Sequence, residues 1–160
     1  MNVVVIVLIA IVVLLAVAAL AFNPILQKRA DAAIAEARDA LGGRDRVRLI
    51  EPKAVGFGSE PEEAGGLRGQ GVLAASDDTL VFVTWAPRRT HVLARSEITS
   101  VSTSAPDARV LEKAALIVGF DDPQHPGTVS WRVAEIARWL DALGYDWGPE
   151  GRPDLDPDGE

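Results

Sequence analysis

Gly69-Gln70-Gly71-Val72-Leu73-Ala74-Ala75-Ser76-Asp77-Asp78-Thr79-Leu80-Val81-Phe82-Val83-Thr84-Trp85 reads as two strands joined by a polar turn. Asp77 and Asp78 hydrogen-bond their own backbone and favour the turn. The flanking runs carry the β-branched and aromatic residues that suit a pleated surface. The prediction is a hairpin of Gly69–Ala75 and Thr79–Trp85. Moving outward, the same composition recurs at Val47–Glu51, His91–Arg95, Ile98–Thr103, Ala114–Phe120 and Thr128–Arg132. Ala86-Pro87-Arg88-Arg89 and Asp121–Gly127 supply turns, and Ser96-Glu97 breaks the run between two strands. Gly56, Gly58, Pro61, Gly65 and Gly66 interrupt the stretch after the first strand. Val133, Ile136, Ala137, Leu140 and Leu143 then switch to helical spacing, and Gly144 ends the run. Six or seven strands followed by one amphipathic helix predict an α+β fold. The helix must bury its apolar face, so it should close an open end of the sheet.

Residues 3–22, VVVIVLIAIVVLLAVAALAF, contain no polar side chain. At about 1.5 Å per residue they make about 30 Å of helix, the thickness of a bilayer core. The expectation is an N-terminal transmembrane helix. Ala19-Leu20-Ala21 has the small-x-small form of a signal-peptide cleavage site. Met1-Asn2, however, carries no basic residue, and the run exceeds the usual signal core of about 7–15 residues. Lys28, Arg29 and Arg38 all lie on the C-terminal side. The positive-inside rule then places the rest of the chain in the cytoplasm. A single-pass protein of the inner membrane, N-terminus out, is the expected localisation. Residues 23–43 read as a juxtamembrane helix or linker. Asn23-Pro24 suits its start, alanines favour its body, and Gly42-Gly43 stops it.

The 160-residue chain has a formal net charge of −7. Residues 146–160 hold 1 basic and 6 acidic groups, whereas residues 44–145 hold 12 and 14. The folded part is thus near neutral and has no basic surplus for a nucleic-acid backbone. The absence of cysteine removes disulfides, thiol catalysis and cysteine-based metal sites. Residues 145–160 read as an acidic, disordered tail. Asp154, Asp156, Asp158 and Gly159 imitate the first half of a calcium loop, but no position-12 glutamate follows.

Gly69 to Phe82, then Val92–Glu97-Ile98-Thr99-Ser100-Val101, Leu116–Phe120, Val129-Ser130-Trp131 and the helix bearing Trp139 follow one another in a suggestive order. That order resembles the pleckstrin-homology-like fold, in its GRAM-like bacterial branch, over residues 46–144. The resemblance implies a seven-stranded, strongly bent antiparallel sheet or barrel capped by a C-terminal helix. It also implies binding of proteins, peptides or lipid headgroups rather than catalysis, with no shared catalytic residues to carry over.

Individual residues add little chemistry. His91 and His125 have no second histidine nearby, so no zinc spacing exists. No G-x-S-x-G turn positions a nucleophile. The glycine clusters fit neither a dinucleotide fingerprint nor a P-loop and read as turn and bulge residues. Trp85, Trp131 and Trp139 read as core, and Trp147 as packing back on the domain. Arg44, Arg46 and Arg48 alternate as on one strand face, and Arg88 and Arg89 sit at a hairpin tip. These five are the candidate contacts for a lipid or partner. The expected function is a non-catalytic, membrane-tethered adaptor that binds a protein partner and needs no cofactor or metal. The alternatives are binding of anionic lipid headgroups and, last, an enzyme of unknown type.

Overall fold

The computed structural model describes residues 3–60, 67–104, 114–121 and 127–147. A long helix α1 (Val3–Ala40) is followed by seven strands. These are β1 (Leu49–Glu60), β2 (Arg68–Ala75), β3 (Thr79–Thr84), β4 (Thr90–Ala94), β5 (Ile98–Thr103), β6 (Leu116–Phe120) and β7 (Gly127–Arg132). A final helix α2 (Ile136–Leu143) completes the fold. The strands form one antiparallel sheet in the order β4-β3-β2-β1-β7-β6-β5. The fold is α+β.

β1 links the two halves of the sheet. Residues 49–57 of β1 pair with β2, and residues 55–60 pair with β7. Two register shifts, at Glu51/Ala54 and Gly56/Gly58, let one strand serve both halves. Gly58 has φ +109, which a side chain would resist. Glycines that seemed to interrupt the strand instead bend it. Pro52 precedes the second pairing stretch, at the first irregularity.

β2 and β3 are apolar on both faces, because each face has a separate core. Leu73, Leu80 and Phe82 point into a main core with Leu116, Val118 and Trp131. Val72, Ala74, Val81 and Val83 point the other way, against Ala33, Ala37 and Leu41. The C-terminal half of α1 thus lies across the outer face of the β1–β4 half. The buried positions of the helix among the described residues, Ala33 and Ala37, are both alanine, which lets it approach closely. The hairpin β3–β4 is tied to it by Arg88, which bonds the Arg29 carbonyl at 3.2 Å and pairs with Glu36 at 3.7 Å. Thr90 Oγ1 also donates to Glu36.

α2 caps the main core. Ile136, Ala137, Trp139, Leu140 and Leu143 are buried, and the helix packs on β5 and β6. Its end is closed by Gly144 N–H to Asp141 O (3.1 Å) and Tyr145 N–H to Leu140 O (2.8 Å). Arg95 Nη1 adds a 2.7 Å bond to the Ala142 carbonyl. Trp147 folds back, donating to Asp141 Oδ1 at 2.7 Å and meeting Tyr145 edge-on at 4.9 Å.

The structure corrects the N-terminal expectation. Among the described residues no helix is long and apolar enough to cross a membrane. The transmembrane helix at 3–22, and the membrane and single-pass expectations that rested on it, are withdrawn. No new helix begins at Asn23-Pro24. α1 runs through it, although Pro24 brings no backbone donor.

Candidate functional site

The five arginines singled out from sequence do not converge. Arg44 and Arg46 lie in a single 3-10 turn, and Arg48 precedes β1, so the three do not alternate on a strand. Arg48 grips Asp77 through Nε and Nη2, both at 2.9 Å. Arg46 stands 3.9 Å from Asp78. This cluster surrounds the β2–β3 turn. Arg88 and Arg89 lie at the other end of β3, six residues or about 20 Å away. Three of the five, Arg46, Arg48 and Arg88, are already occupied by carboxylates.

The β2–β3 turn is a locked structural corner. Ser76 Oγ donates to Asp78 Oδ1 at 2.6 Å and accepts the Thr79 N–H at 3.0 Å. The Arg48 hydrogen bonds hold the Asp77 carboxyl below the usual carboxylate range. The Ser76 hydroxyl chiefly does the same for Asp78. A small depression of ≈ 330 Å³ lies between this turn and Asp45, Arg46 and Arg48. Both of its arginines are already paired, with Asp78 and Asp77, which leaves little for an anionic ligand.

Two other features were not legible in the sequence. The first is the edge of the sheet. β5 is a terminal strand, ITSVST, with no charge and no proline. Edge strands are normally blunted by such residues. Ile98 and Val101 turn half-buried apolar side chains toward the main core, beside α2. The opposite edge, β4, is flanked by α1 through Thr90 and Glu36. Among the described residues β5 therefore offers the freer edge.

The second is a cleft of ≈ 580 Å³ at the β1 irregularity, lined by Phe57, Ser59, Leu67, Arg68, Ile117 and Ser130 among others. Phe57 is the extra residue of that irregularity and is 40% exposed. The Arg132 guanidinium lies over the ring, 5.4 Å from its centroid. Exposed phenylalanines rarely signal a site in sequence, and the register shift that exposes this one depends on β7.

His91 sits on β4 opposite Phe82. His125, Asp107–Lys113 and the acidic end from residue 148 lie outside the described residues, as does the turn at 61–66. Among the described residues no group of three or more His, Cys, Asp or Glu side chains could hold a metal ion. Trp131 and Trp139 are 2% and 1% exposed and belong to the main core, whereas Trp85 is half-buried against the second. Set against known proteins, the chain matches no family model and no curated protein.

Proposed function

We infer that the chain is a non-catalytic binding module that takes up an extended segment of a partner protein along β5. The observation that carries this is the uncharged strand Ile98–Thr103, last in the sheet among the described residues and flanked by α2. A peptide added there satisfies the edge N–H and C=O groups by main-chain hydrogen bonds. Its alternate side chains then meet Ile98 and Val101. The sheet order, with β1 shared between two halves and a helix over one end, supports the likeness to pleckstrin-homology-like domains. The headgroup alternative has weaker support, because its arginines are split between two ends of β3 and mostly paired.

The test is a selection of extended peptides from a displayed library on the full chain. Amide hydrogen exchange with and without a selected peptide then locates binding. Exchange should slow at residues 98–103, and Ser100→Lys/Ser102→Lys should abolish binding while the thermal midpoint holds. Peptides that protect another region, or that bind the lysine variant equally well, refute the reading.

A further inference from the structure

We propose that the cleft at the β1 irregularity is a binding site for a carboxylate carried beside an apolar group, with Arg68 and Arg132 holding the carboxylate. Arg68 stands directly across from Phe57 in the β1–β2 register. Arg132 stacks on the same ring from β7. Phe57 thus has an arginine neighbour on each flanking strand, and Arg68 also lines the cleft. A guanidinium offers a planar fork of N–H donors that suits a two-pronged acceptor such as a carboxylate.

Seven of the described arginines, Arg68 and Arg132 among them, are paired with no carboxylate. Arg46, Arg48, Arg88 and Arg138 each hold a carboxylate. Among the described residues Arg68 and Arg132 hold none. Glu60 lines the same cleft but pairs with neither. The rest of the wall suits the remainder of such a ligand. Leu67, Ile117 and the Phe57 ring supply apolar surface, and Ser130 supplies a hydroxyl. A volume of ≈ 580 Å³ falls within the usual range for small-ligand sites. The site needs no peptide on β5, so it stands apart from strand addition.

The carboxylate could end a chain or sit on a side chain, and two probes separate these. N-acetylphenylalanine presents a chain-terminal carboxylate, and N-acetyl-Phe-Glu-amide presents only a side-chain one. N-acetylphenylalanine amide is the uncharged control. Each is titrated into the full chain while backbone amide resonances are followed. At least one carboxylate probe should shift Gly58, Thr128 and Ser130 saturably, and the amide should not. Arg68→Gln and Arg132→Gln should weaken binding about tenfold or more. Arg132→Lys keeps the charge, guards against misfolding and should also weaken it, because it loses the planar fork. Arg138→Gln should bind as wild type. The proposal is overturned if neither carboxylate probe shifts these resonances. It also fails if the amide does so equally, or if the Arg68 and Arg132 variants retain full affinity.

Discussion

Arg48 holds Asp77, 29 positions away, with two parallel hydrogen bonds of 2.9 Å each. The bidentate contact joins the approach to β1 with the turn between β2 and β3. It is a geometric clamp rather than a large source of stability, because both side chains are exposed.

The clamp predicts an acid response. Asp77 and Asp78 titrate below an unfolded carboxylate at about 3.9. A lowered folded value favours the folded state above that pH, and the benefit fades as pH falls through the folded values. Asp77→Asn should therefore sit slightly below wild type in thermal midpoint at pH 7, and the gap should close as pH falls below about 4. Melts followed by circular dichroism across pH 2–7 check this.

Gly71 has no room for a side chain. A Cβ there would lie 2.8 Å and 2.9 Å from two Phe82 ring atoms and would also meet the Val83 carbonyl. Gly71→Ala should destabilise the domain by about 1–3 kcal/mol, the usual range for forced overpacking. Urea unfolding with an unchanged slope is the measurement.

Leu140 is fully buried where α2 closes the main core. Leu140→Ala should cost about 2–5 kcal/mol, the transfer of the lost atoms plus the cavity left behind. The loss should appear as a lower urea midpoint. If α2 merely lay on the surface, the change would be under about 0.5 kcal/mol.

Ala37 is fully buried between α1 and the outer face of β2 and β3. Ala37→Glu places a charge there with no partner, which strongly disfavours docking. Amide exchange should accelerate across residues 26–41 while β6 and β7 stay protected, because the main core does not depend on that helix. Uniform acceleration over the whole chain would show the two cores to be one cooperative unit.

The strands and α2 were legible because their signals are local. Ile98–Thr103 was placed correctly from β-rich composition alone. The hairpin β2–β3 followed from the Asp77-Asp78 turn. α2 followed from the spacing of Ile136, Leu140 and Leu143, although it begins three residues later than Val133 suggested. β1 was cut short at Glu51 because glycine and proline signal breaks. Here β2 and β7 pair with it on both sides, and the register shifts absorb Pro52, Gly56 and Gly58. The candidate arginines were chosen by charge, and charge says nothing of pairing. Asp77, Asp78 and Glu36 are near them only after folding.

By itself, the amino-acid order determined an α+β chain of short strands closed by an amphipathic helix, without cysteine chemistry and with its acidity concentrated at one end. Those properties depend on neighbours within a few positions. Only the tertiary structure decided that α1 lies across the sheet, that β5 comes last in it among the described residues, and that Phe57 is exposed beside Arg68 and Arg132. Each of these is set by which strands pair, and in what register, between residues tens of positions apart.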